Sequence, residues 1–250
     1  MDHLSVEQRG DVALVRIDRP PANALDPTLL GEGRRLLDEL AGAQPGAVVL
    51  TGREGFFSAG VDLKVAPTLD PRGQREMVDS ISRVFAGWYG FERPVVCAVN
   101  GHAIAGGLIL ALCGDYRVGT GHGSFGLTEL RAGVPYPAVA MAIVQAELSP
   151  AVARRLVLGA DLVDARTALE LGLLDELTEP ELLLSRALEL AEELARLPTA
   201  GYAQVKRQLR GETIDSTARI VEGELDPLLQ GWLADETPAA AAAVLARERE

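Results

Sequence analysis

Residues 95–113 pass without a single Asp, Glu, Lys or Arg. An apolar run of that length has to leave water, either into a bilayer or into a protein core. It is barely long enough to cross a membrane, and Asn100, Gly101, His102, Gly106 and Gly107 interrupt it. The pattern therefore predicts a buried strand over Val95–Val99, a turn of small residues, and a buried helix over 106–113. A chain of 250 residues can enclose such a segment within one sizeable core.

The surrounding pattern repeats that logic. Residues 46–52 form a second short apolar run between glycines, as expected of a strand covered on both faces. Strands are predicted over 4–6 and Val12–Ile17, around the turn Gly10-Asp11, and again over 116–119 and near Phe125. Asp26-Pro27 reads as the N-cap and first residue of a helix running to about Leu40. Helical spacing also covers 72–91. Strands alternating with helices argue for an α/β fold with mainly parallel pairing. After Pro137 helical spacing dominates, over 138–147, 150–158, 165–171, 181–197, 199–209 and 215–233. In 181–197 the set Leu184, Ala187, Leu188, Ala191, Leu194 and Ala195 lies on one stripe. Pro198 is the best boundary, dividing an α/β body (1–197) from a helical region (198–250).

Charge and motif arithmetic remove several function classes. With 24 Lys+Arg against 36 Asp+Glu the net charge is −12, which disfavours binding to nucleic acid or an anionic membrane. Cys97 and Cys113 form neither a CxxC pair nor a disulfide framework, and residues 1–9 have no apolar signal-peptide core. A reduced, cytoplasmic setting is expected. His3, His102 and His122 are not at metal-ligand spacing, so no metal is expected. Residues 121–126 spell GxGxxG, but Gly133, Pro135 and Pro137 interrupt the helix that a dinucleotide site would need next. No Lys-Ser/Thr follows Gly106-Gly107, and Ser58 and Ser124 each miss the GxSxG elbow.

What remains is a pair of similar turns. Val48-Val49-Leu50-Thr51 leads to Phe56-Phe57-Ser58-Ala59-Gly60-Val61-Asp62-Leu63, and Val95–Val99 leads to Asn100-Gly101-His102-Ala103-Ile104-Ala105-Gly106-Gly107. Small residues admit a ligand to the backbone, and a helix N-terminus leaves N–H groups unpaired. Two such turns facing one another would aim two N–H donors at a single oxygen, an oxyanion hole. Taken with Phe125-Gly126-Leu127-Thr128-Glu129, these segments resemble the crotonase superfamily, the enoyl-CoA hydratase/isomerase family, in order and in spacing. The resemblance extends over essentially the whole chain.

The resemblance implies a spiral of repeated ββα units with C-terminal helices that assemble trimers or hexamers. It implies an acyl-CoA thioester as substrate, coenzyme A entering as part of that substrate with no separate cofactor. By motif, the oxyanion donors are the N–H groups of Val61 and Gly106, and Ala59, Val61, Asp62, Leu63, Lys64 and Gly106 border the ligand. Asp62 also reads as a cap for the residues after it. Hydratases of the family hold a water between two glutamates. The first of those positions falls here on Ile109 and the second on Glu129, while residues 133–137 look closer to the isomerase branch. An enolate mechanism needs one carboxylate, so Glu129 is expected to shuttle a proton in a double-bond shift. The alternatives are a hydratase of reduced activity and a catalytically silent acyl-CoA binder. Lys64 and Lys206 are the only lysines beside 22 arginines, and each is a candidate contact for a coenzyme phosphate.

Overall fold

A computed structural model describes residues 1–247. The chain threads two sheets in alternation. Strands β1 (Leu4–Arg9), β2 (Val12–Ile17) and β3 (Ala47–Thr51) enter the first, and β4 (Gly55–Ser58) enters the second. Strand β5 (Val95–Val99) returns to the first, β6 (Gly101–Ile104) goes to the second, and β7 (Tyr116–Thr120) returns again. Strands β8 (Phe125–Gly126) and β9 (Leu162–Val163) complete the second, and β10 (Glu176–Thr178) completes the first. The orders are β1-β2-β3-β5-β7-β10 and β4-β6-β8-β9. Pairing is parallel throughout except in the β1–β2 hairpin and between β8 and β9.

Sequence and packing agree on why. Strands β3 and β5 are buried at every position, and their side chains divide by the two-residue period of a strand. Val48, Leu50, Cys97 and Val99 face one core, against helices α1 (Pro27–Ala43), α2 (Pro71–Tyr89) and α3 (Gly106–Leu112). Val49, Val96 and Ala98 face the other side, covered by Leu183, Ala187 and Ala191 of a helix near the C-terminus. Helices α4 (Ala138–Glu147), α5 (Pro150–Leu158) and α6 (Ala165–Glu170) precede that helix, α7 (Leu183–Ala195). Asp26 caps α1 as expected, its carboxylate accepting from the Leu29 N–H at 2.8 Å with Pro27 at the first helical position.

Three differences from the sequence reading have physical causes. Strands β4 and β6 belong to a second sheet that their length of only four residues each conceals, so residues 101–104 form a strand and not a turn. The expected pair of helices over 199–209 and 215–233 is one helix, α8 (Thr199–Glu222). Gly211 costs a helix about 1 kcal/mol, too little to break one that buries Lys206, Arg210 and Thr217. The stop comes at Gly223 and Asp226-Pro227, so residues 225–233 hold only a 3₁₀ turn, Pro227–Gln230. Helix α9 (Thr237–Arg247) follows, and the last three residues of the 198–250 region lie outside the described residues. No helix among the described residues is long and apolar enough to cross a membrane.

Helix α8 is rooted in the body by charge. Asp115, just before β7, accepts from the Val95 N–H at 2.8 Å and pairs with Lys206 at 2.8 Å and Arg210 at 3.1 Å. Arg210 also reaches Glu147 at 3.1 Å and lies 4.5 Å from the centre of the Tyr89 ring. Arg117 joins Glu147 to Asp175.

Candidate active site

Three exits converge at one edge of the second sheet. Strands β4, β6 and β8 run parallel, with Ser58 beside Ala103 and Ile104 beside Gly126. Parallel strands release their chains at the same end, where open α/β sheets form ligand crevices. The released segments are Ala59-Gly60-Val61, Ala105-Gly106 and Leu127-Thr128-Glu129. These are the three segments singled out in the sequence.

The first two meet directly. Gly60 has φ +78°, and a Cβ built on it would lie 2.8 Å from the Gly106 nitrogen and 2.9 Å from the Ala105 Cβ. Only glycine lets the two turns touch. Leu25 braces the first turn on one side, donating to the Gly60 carbonyl at 2.7 Å and accepting from the Asp62 N–H at 2.9 Å. Alternation along an extended chain then turns the Val61 N–H to the opposite side. The Gly106 N–H belongs to the first turn of α3, where no intrahelical acceptor exists. Among the described residues neither N–H donates a hydrogen bond. Between them Ala105 holds φ +53°, a costly conformation for a residue with a Cβ, pinned by its N–H bond to the Gly126 carbonyl at 2.8 Å.

The acid positions differ as the sequence said they would. Ile109, on α3, is fully buried hydrocarbon. Glu129 opens a 3₁₀ turn, Glu129–Ala132, and is 8 % exposed. Burial pushes its carboxyl up to about 7, against smaller opposing effects of the neighbouring Tyr136 hydroxyl and its own backbone N–H. Its Oε2 atom is buried without a hydrogen-bond partner of good geometry among the described residues. A buried carboxyl that is half ionised near neutrality is suited to taking up and returning a proton.

The expected substrate contacts fall into two groups. Ala59, Val61, Leu63 and Lys64 flank the Gly60 turn, with Ala59 tied to the Ala22 carbonyl at 3.0 Å and the Lys64 side chain exposed. Asp62 caps its own turn, accepting from the Lys64 N–H at 2.9 Å, and its other oxygen pairs with Arg19 at 2.8 Å. Lys206 departs from the expectation. Its ammonium is buried and committed to Asp115 because α8 has carried it into the ion network, so it does not stand open to a phosphate of the same chain. His102 packs beside Phe56, ring centres 4.8 Å apart, and accepts from the Ser124 N–H at 3.1 Å.

Two residues of the site went unnoticed in the sequence. Asn23 is fully buried at φ +51°, and its amide donates to the carbonyls of Ile17, Phe56 and Phe57. The Ser58 hydroxyl donates to the Asn23 carbonyl at 2.7 Å. Arg19 bridges Asp26 and Asp62. Together they lock the strand that delivers Gly60 to the strand before α1. The available signal was an Asn among small residues after Arg19-Pro20-Pro21, a turn residue that tolerates positive φ.

No cluster of metal-binding side chains occurs among the described residues. Residues 7–231 match the family model for enoyl-CoA hydratase/isomerase. A putative enoyl-CoA hydratase of Thermus thermophilus is 38% identical over 195 residues, covering 76% of each chain. A carnitinyl-CoA dehydratase of Salmonella arizonae is 31% identical over 228 residues, 88% of this chain and 86% of that one. A Mycobacterium tuberculosis protein, called a probable enoyl-CoA hydratase in one solved structure and an enoyl-CoA isomerase in another, superposes with TM-scores of 0.84 and 0.82. The first is 28% identical and covers 90% of this chain and 95% of its own. Matched along nearly its whole length and by relatives above 30% identity, the chain belongs to the enoyl-CoA hydratase/isomerase family.

Proposed function

We propose that the protein shifts a double bond of an enoyl-CoA through a thioester enolate, with Glu129 as the proton shuttle. The observation that carries this reading is the pairing of a buried carboxyl at 129 with buried hydrocarbon at 109. The Val61 and Gly106 N–H groups receive the thioester oxygen and stabilise its negative charge as a proton leaves the neighbouring carbon. Glu129 holds that proton and returns it to the carbon at the far end of the delocalised system. Lys64, exposed beside the Gly60 turn, supplies a cation for a coenzyme phosphate.

Hydration is the second reading, favoured by the names of the Thermus and Salmonella relatives. It requires a water both oriented and deprotonated, and lacking one of two carboxylates costs on the order of 10²–10⁴ in rate. Parallel assays on 3-enoyl-CoA and on 2-enoyl-CoA in water separate the two, with faster turnover expected for the first. Deuterium exchange at the α-carbon of a saturated acyl-CoA reports the enolate without either product. An acyl-CoA that binds but is neither turned over nor exchanged would identify a silent binder. Because the carboxylate is the active form, kcat/KM should climb with pH and level off above about 7. A flat profile from pH 5 to 8 would remove Glu129 from the mechanism.

The same reading gives residues 198–250 to assembly. Val205 and Leu209 stand one turn apart on α8, 61 % and 82 % exposed, an apolar pair that a monomer would leave in water. Light scattering should give a trimeric or hexameric mass at micromolar concentration, and a monomeric mass would refute this.

A further inference from the structure

The loop that carries Glu129 holds a second buried polar group. After its 3₁₀ turn the chain reverses at Gly133 (φ +64°), and the Val134 N–H donates back to the Glu129 carbonyl at 3.0 Å. The reversal sets the Tyr136 hydroxyl beside the Glu129 carboxyl, within reach of a side-chain hydrogen bond. The Tyr136 hydroxyl and Glu129 Oε2 are both sealed from solvent, and neither closes a hydrogen bond of good geometry among the described residues. Two adjoining groups with complementary needs, one a donor and one an acceptor, are each other's nearest remedy.

The loop is also braced from outside. The Trp232 indole donates to the Pro135 carbonyl at 3.1 Å, the Thr237 hydroxyl to the Gly133 carbonyl at 2.9 Å, and the Ala138 N–H to Asp226 at 2.7 Å. Pro135 and Pro137 restrict the backbone on either side of Tyr136. This much restraint on one tyrosine, on both flanks, is what a side chain needs if it is to hold a neighbour in place.

We propose that Tyr136 is a positioning residue for Glu129: its hydroxyl donates to the ionised carboxylate and fixes it in one orientation, a support that hydrocarbon at position 109 cannot supply. This rests on the reading of Glu129 as the base. Burial and the adjacent carboxylate push the Tyr136 phenol well above its usual range, so it remains a donor throughout the working pH. Tyr136 keeps its proton during turnover. The substrate proton passes from carbon to Glu129 and back to carbon, and the phenol stabilises the carboxylate before and after.

The test is a ¹³C-carboxyl NMR titration of Glu129, assigned by its loss in Glu129→Gln, in wild type and in Tyr136→Phe. It needs no substrate. Removing a donor to a buried carboxylate should raise the midpoint by about one pH unit, and the acid limb of kcat/KM should move with it. If Tyr136→Phe fails to fold, 3-fluorotyrosine at 136, a more acidic phenol and a stronger donor, should lower the midpoint instead. An unmoved midpoint in the folded variant, or a rate lowered equally at every pH, overturns the proposal. Full activity in Glu129→Gln would defeat the reading of the base itself; an inactive Glu129→Gln with an unmoved Tyr136→Phe midpoint defeats only the role of Tyr136.

Discussion

Glu129→Gln should lower turnover by roughly 10²–10⁴ while leaving acyl-CoA affinity nearly intact. Glutamine keeps the length of the side chain but cannot accept a proton from carbon. The Val61 and Gly106 N–H groups are backbone and untouched, so the thioester oxygen still finds its donors. Exchange of the α-proton in deuterated water should vanish with turnover, because both pass through the same enolate. Unchanged exchange in the variant would place the base elsewhere, with His102 the next residue to replace.

The same substitution carries a stability signature that separates it from simple damage. The folded pKa of Glu129 lies above its unfolded value, so the folded chain binds more protons across the window from about 4.5 to 7. Wild type therefore loses stability as pH rises through that window, whereas the neutral glutamine does not titrate. Relative to wild type, Glu129→Gln should gain in melting temperature between pH 5 and pH 8, by the equivalent of a few kcal/mol at most. Where burial of an acid serves chemistry, removing the acid leaves a protein that is more stable and less active. A difference between variant and wild type that is the same at both pH values would show that the carboxyl is not held protonated by its surroundings.

How much of this was legible in the sequence depended on how far each feature is local. Strands β3 and β5 are continuous apolar β-branched runs, so burial on both faces could be read directly. The cap at Asp26 is set by its nearest neighbours and was equally visible. Strand β8 was expected near Phe125, but β4 and β6 have four residues each and owe their existence to their neighbours, so no local pattern announces them. The contact of Gly60 with Gly106 spans 46 positions and became readable only through the family resemblance. The fate of Lys206 was hidden for a related reason. A lone lysine on a helix looks solvated until the fold brings Asp115 beneath it, 91 residues away in sequence. Residues 133–137 stood out only as a stretch closer to the isomerase branch, and the relation of Tyr136 to Glu129 depends on the reversal at Gly133.

Asp115→Ala should cost about 3–5 kcal/mol of stability, because it strands a buried charge. Its carboxylate serves three donors at once, the Val95 N–H, the Lys206 ammonium and the Arg210 guanidinium. Lys206 and Arg210 are 6 % and 9 % exposed at their side chains, so neither can turn to water when its partner is removed. Burial already pulls Lys206 downward, with Asp115 the chief opposing influence, and the variant leaves desolvation unopposed by that carboxylate. Arg210 retains Glu147 and the carbonyls of Cys113 and Gly114, so Lys206 bears most of the loss. A second variant isolates this cause: adding Lys206→Met to Asp115→Ala deletes the stranded charge and should recover much of the stability. Urea unfolding at fixed protein concentration should show a lower midpoint with an unchanged slope. A loss under 1 kcal/mol, or no recovery in the double variant, would mean that α8 is held by its apolar contacts and that the ion network contributes little.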